Sequence, residues 1–66
     1  MTPRLTERQY IIIDQLSNGE AMKRIADRLN ISRQTMDRDL MLAHQNLGAK
    51  TTYQLIAACV RHGLIA

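Results

Sequence analysis

The stretch Ile25–Leu47, IADRLNISRQTMDRDLMLAHQNL, constrains this chain more than any other. Two helical patterns meet in it across the residues Leu29-Asn30-Ile31-Ser32. Before the break, Met22, Ile25, Ala26 and Leu29 fall on one apolar stripe. After it, Met36, Leu40, Ala43 and Leu47 recur at steps of 4, 3 and 4 and define an inner face. At about 100° per residue the opposite face carries Gln34, Arg38, Met41 and Gln45, with Arg33 and Asp37 flanking it near the amino end. Ser32 is placed to cap the second of these helices and Gly48 to end it. Two helices joined by so short a turn read as a helix-turn-helix, whose second helix is carried as a reading head for the DNA major groove.

The rest of the chain predicts two more helices. Thr6-Glu7-Arg8-Gln9 has capping-box spacing, Leu5 is placed to staple the entry, and Ile12, Ile13 and Leu16 form an apolar face with Tyr10 beside it. Ser17-Asn18-Gly19 stops that helix. A fourth helix opens at Thr51-Thr52-Tyr53-Gln54, a second capping box, and ends at Gly63. The expected helices are therefore about 6–16, 20–28, 32–46 and 51–62, in one all-α domain spanning 1–66. The second starts poorly, because Ala21 sits where Ser or Thr would cap it. The fourth carries two apolar edges. Leu55, Ala58 and Cys59 make one; Tyr53, Ile56, Ala57 and Val60 make the other, on roughly the opposite side. A helix in so small a domain buries one side against its own core, so the second edge implies a partner.

Size narrows what can stabilise the fold. A chain of 66 residues buries only about 60% of its unfolded surface. Cys59 is the only cysteine, which excludes a disulfide within the chain, and Cys59, His44 and His62 have no paired zinc-ligand spacing. Helix packing and self-association remain. There is neither a secretory signal nor a run of about 20 apolar residues to span a membrane, and a single thiol suits the cytoplasm. The net charge is +3, and its distribution says more than its size. Five of the nine basic residues, Lys23, Arg24, Arg28, Arg33 and Arg38, fall between positions 23 and 38, opposed there only by Asp27 and Asp37. Basic side chains gathered around a reading head suit phosphate contact.

Laid end to end, the motifs resemble the LuxR/NarL/GerE-type helix-turn-helix domain along nearly the whole chain. Leu5-Thr6-Glu7-Arg8-Gln9 is similar to that family's L-T-x-R-E opening, and Lys23 through Ser32 to its K-E-I-A-x-x-L-x-I-S. Thr35-Met36, Leu47-Gly48-Ala49 and Gly63-Leu64-Ile65 resemble its T-V, K-L-G-V and closing G-L-I. A sigma-factor region shares the helix-turn-helix, but the opening and closing motifs fit the LuxR type better. The resemblance implies a four-helix fold, winged-helix-like without a wing, with the third helix in the major groove and the fourth at a dimer contact. By the same resemblance Lys23 takes a phosphate-contacting position, Arg38 and Met41 face the groove, and Lys50 holds a basic position after the third helix. The chain departs from the family at Asp37 and Asp39, where a Lys and a His are usual, at Arg24 for Glu, and at Thr52 for Arg. An acid at Asp37 repels phosphates unless it pairs with Arg33 or accepts from a cytosine amino group. Family domains usually follow a sensor domain, whereas here the pattern starts at Leu5, which leaves either a fragment of a larger protein or a free-standing small regulator; Met1-Thr2-Pro3-Arg4 reads as a natural start and favours the latter.

Two functions compete. In the first, a transcriptional regulator reads bases with Arg33, Gln34, Asp37, Arg38 and Met41 and holds the DNA backbone with Lys23, Arg24, Arg28, Thr35 and Lys50. A homodimer through Tyr53, Ile56, Ala57 and Val60 would place two reading heads about 34 Å apart. In the second, the domain is an antagonist that pairs with a larger LuxR-type activator, or with another protein of the transcription machinery, and blocks it. Met41 is open to two readings, a thymine-methyl contact or an ordinary exposed residue. Tyr53 fits a partner surface better than base stacking, since the chain lacks the several aromatics that a stacking platform uses. Enzymatic function has no support: His44, His62, Cys59 and Ser32 show no nucleophile–base spacing, there is no glycine-rich phosphate loop, and no cofactor is implied.

Overall fold

The computed structural model describes residues 4–65; the expected start at Met1-Thr2-Pro3 and the final Ala66 lie outside the described residues. Four helices follow in order: α1 (Glu7–Ser17), α2 (Met22–Leu29), α3 (Arg33–Leu47) and α4 (Thr52–Arg61). They pack into a body of about 32 × 20 × 20 Å. The fold is all-α, as the composition and the spacing predict.

Each boundary has a local cause. Thr6 caps α1 through its hydroxyl, which accepts from the Gln9 amide at 3.1 Å, while the Gln9 side chain accepts from the Thr6 amide at 3.0 Å. Leu5, before the cap, packs against the core. The start of α2 differs from expectation, at Met22 rather than Glu20. The Glu20 amide is bound back to the Gln15 carbonyl at 3.1 Å, so Glu20 closes the end of α1. Gly19 allows that closure with a φ of +86°. Ala21 then stands at the cap of α2 with no side-chain hydrogen bond, the weak start expected there. Between α2 and α3 the chain reverses through Asn30, whose φ of 56° is left-handed, and the Ile31 amide donates to the Ala26 carbonyl at 3.0 Å. Asparagine tolerates that conformation better than most residues. The second capping box forms only in part. Thr51 accepts from the Gln54 amide at 3.1 Å, but the Gln54 side chain accepts from Lys50 at 2.9 Å rather than from Thr51. At the far end the Leu64 amide donates to the Cys59 carbonyl at 2.8 Å, which returns Ile65 to the core.

The core draws on every helix: Ile12 and Ile13 from α1, Ile25 from α2, Met36 and Ala43 from α3, Leu55 and Cys59 from α4. All seven are fully buried. α3 packs against each of the other three helices, so its inner stripe is the axis of the molecule. Cys59 belongs to this core, and burial pushes its thiol above the usual cysteine range.

One polar cluster interrupts the apolar packing, and the spacing of the chain does not reveal it. Asp39 is 7% exposed and lies beside α1. The Arg8 guanidinium spans its carboxylate, through Nε to Oδ2 and through Nη2 to Oδ1 at 3.2 Å. Gln9, equally buried, donates from Nε2 to the Asp39 carbonyl at 3.3 Å. The capping box of α1 is thus bonded into the middle of α3. The hydrogen bond to Asp39 raises the Arg8 guanidinium above its ordinary value, with burial opposing. Asp39 therefore takes no part in the outward surface of α3.

The two partners of this pair are unequally exposed, since the Arg8 side chain is 46% accessible and that of Asp39 only 9%. Arg8→Ala leaves a buried carboxylate without its counter-charge, whereas Asp39→Ala leaves an arginine that water solvates. Arg8→Ala should therefore lower the urea midpoint of unfolding more than Asp39→Ala, a reversal of which would show that the pair contributes through packing alone.

Candidate nucleic-acid interface

The surface turned outward by α3 follows from the burial of its inner stripe. Met36 and Ala43 are fully enclosed, so Gln34, Arg38 and Gln45, on the opposite side, are exposed, and Met41 is 53% exposed. The amino end of this helix is well built. The Ser32 hydroxyl accepts from the Thr35 amide at 3.1 Å and donates to the Thr35 Oγ1 at 2.9 Å. Thr35 is half-buried, and its own hydroxyl hydrogen remains to donate elsewhere. The cap leaves other amides of the first turn facing outward, where the helix dipole favours an anion.

Arg33 and Asp37 pair on the flank of this stripe, with Nε to Oδ1 at 3.2 Å, and both are exposed. The Arg33 Nη2 also lies 3.4 Å from the Met22 sulfur on α2. Of the basic residues expected along the backbone-contacting rim, Lys23, Arg24 and Lys50 are exposed and make no ion pair among the described residues, and the same holds for Arg38 on the stripe. Arg28 differs. Its Nη1 donates to Gln15 at 2.8 Å and its Nη2 lies 3.7 Å from the Glu20 carboxylate, so it braces the α1–α2 corner. That role was hidden in the sequence because it depends on where the α1–α2 turn places Glu20.

Beside the stripe, a shallow groove runs between the second half of α3 and the loop to α4. Asp37, Met41, His44, Gln45 and Lys50 line it. It joins Met41 to Lys50, two residues the sequence treats separately. His44 is half-buried, and its Nδ1 is enclosed without a hydrogen-bond partner. On the far side, α4 presents Tyr53, Ala57, Val60 and Arg61 around the half-buried Ile56 in a second, largely apolar groove. Tyr53 is 83% exposed there. Ile56 also packs against the core, so it belongs to both apolar edges of α4 rather than to the outer one alone.

Residues 3–58 match the family described as bacterial regulatory proteins, luxR family. The chain belongs to the luxR family. A solved structure described as transcription factor GerE superposes with a TM-score of 0.89 at 29% sequence identity, over 94% of this chain and 92% of that one. A comparison with curated proteins found no match. The luxR family and its fold are those of DNA-binding regulators and not of enzymes. No helix among the described residues is long and apolar enough to cross a membrane.

The order of α3 depends on its first turn. Ser32→Ala removes the acceptor for the Thr35 amide and should cost about 1 kcal/mol. Amide exchange at Thr35 should accelerate while that of Ala43 changes only with global stability. Unchanged protection at Thr35 would assign its order to packing instead of the cap.

Proposed function

We propose that this chain is a transcriptional regulator that binds double-stranded DNA with α3 in the major groove and acts in the cytoplasm. The observation that carries this reading is the exposed stripe of Gln34, Arg38 and Met41 directly opposite the buried stripe of α3. A helix held on one side by the core and presenting an arginine and an amide on the other suits guanine and adenine edges. Lys23, Arg24, Lys50 and the Thr35 hydroxyl border the stripe and serve the phosphates, which fix register without reading sequence. Arg28, engaged with Gln15 and Glu20, is the weakest of the backbone contacts.

Pairing of two copies through α4 completes the proposal. The outer face of α4 is self-complementary about Ala57, with Tyr53 and Arg61 each four residues away on either side. A two-fold axis at Ala57 relating antiparallel helices sets the Arg61 guanidinium of one copy over the Tyr53 ring of the other. The small side chain of Ala57 lets the helices approach. A lysine-to-aspartate departure at Asp37 favours a second reading, in which the same face binds a larger LuxR-type protein and the domain acts as its antagonist.

An electrophoretic shift on duplex DNA tests the first reading. Arg38→Ala should weaken binding to a selected site by about tenfold or more while changing random duplex little; equal loss on all sequences reassigns Arg38 to phosphate contact. No shift of the wild type at low salt removes the DNA reading and promotes the antagonist.

Ala57→Asp places a charge at the centre of the proposed contact. Sedimentation should find the wild type dimeric on DNA or alone and this variant monomeric, with its fold retained because Ala57 is exposed. A wild type that is monomeric in both conditions overturns the homodimer.

A further inference from the structure

We infer that Arg33 and Asp37 act as one composite reading unit that specifies a single G·C base pair, with Asp37 the specificity-determining residue. The inference rests on the DNA reading above and goes beyond it by giving the pair a joint role. Asp37 stands where phosphate attraction would call for a base, and a carboxylate on a reading head needs a reason. Its position supplies one. Oδ1 accepts from the Arg33 Nε at 3.2 Å, one helical turn away. The Met22 sulfur, at 3.4 Å from Nη2, holds the guanidinium from the α2 side. Arg33 is thus tethered from two helices, through Nε and through one Nη2 hydrogen. Its Nη1 has no partner among the described residues, and Nη2 keeps a second hydrogen.

The guanidinium keeps donors on Nη1 and Nη2, and the end-on fork of these two nitrogens is the one that fits guanine O6 and N7. Asp37 Oδ2 makes no hydrogen bond among the described residues and is left as a free acceptor on the same unit. Together they offer two donors and an acceptor. The major-groove edge of a G·C pair offers the complement, two acceptors on guanine and the amino donor of cytosine. Thymine would set its O4 against the carboxylate, acceptor against acceptor, so Asp37 also excludes bases by repulsion. Charge points the same way. Pairing with Arg33 neutralises Asp37 locally, while any shift of the unit towards the backbone would bring the carboxylate against phosphate. The arrangement confines Arg33 to bases instead of phosphates, which an unpaired arginine at the end of a helix would otherwise reach.

Both side chains are more than half exposed, so neither substitution need disturb the fold. The test is a binding selection on randomised duplex DNA with the wild type, Asp37→Ala, Arg33→Ala and the double variant, with thermal unfolding of each as a control. Both single variants should lose discrimination at the same base pair by about tenfold, the double variant should lose no more than either, and unfolding should be unchanged. Asp37→Asn, which can still accept from Nε but turns a donor outward, should lose the preference for G·C over A·T at that base pair. If Asp37→Ala selects the wild-type sequence with the same relative affinities, the pair is only a surface ion pair and the inference is wrong. Uniformly tighter binding of Asp37→Ala on all sequences is equally fatal, since the acid would then act on phosphates alone. A wild type that retains no duplex at low salt fails earlier, at the DNA reading itself, and is distinguishable from both.

Discussion

The burial of one stripe of α3 is the constraint from which the rest of the structure follows. Met36, Leu40 and Ala43 are enclosed by side chains from α1, α2 and α4, and no other helix touches all three neighbours so fully. A helix with one face so held has no freedom to rotate about its axis, because each 100° turn would exchange buried carbon for exposed polar groups. The direction in which Gln34, Arg38 and Met41 face is therefore a consequence of packing on the opposite side. The luxR family uses the same four-helix frame, and the likeness to GerE at a TM-score of 0.89 extends over nearly the whole of both chains. An interface built in this way can change its outward residues without altering its support.

The apolar core of so short a chain is small, and a polar cluster supplements it. Arg8, Gln9 and Asp39 link the amino end of α1 to the centre of α3. Gln9 joins two functions, since its carbonyl oxygen caps α1 and its amide nitrogen reaches the α3 backbone. Buried polar groups are costly when unpaired, so a satisfied cluster of this kind admits only one register between the two helices. Asn46 extends the contact by donating to the Arg4 carbonyl. The departure from the family at Asp39 is thereby explained by a partner on α1, whereas the departure at Asp37 concerns the exposed surface. Two acids two positions apart on one helix have unrelated roles because successive residues point in different directions.

Much of the fold was legible because its signals are local. The hydroxyls of Thr6, Ser32 and Thr51 each accept from the amide three residues on, as their spacing implied. The inner and outer stripes of α3 and the buried edge of α4 followed from periodicity alone. The start of α2 was missed by two residues, since Glu20 obeys a hydrogen bond to the preceding helix rather than its own propensity. The left-handed turn at Asn30 was also hidden, because glycine is the usual marker of that conformation.

What the amino-acid order determined by itself is the set of helices, their caps and the face each one buries, because those depend on residues within a turn or two of one another. What only the tertiary structure decided is which side chains meet. Arg8 finds Asp39 across 31 positions, Arg28 is drawn to Gln15 and Glu20 rather than to the outer rim, and Arg33 comes against Met22 of another helix. Charge and spacing assign such residues to a surface. Their partners depend on how the helices cross, and that is fixed by the simultaneous packing of the whole core.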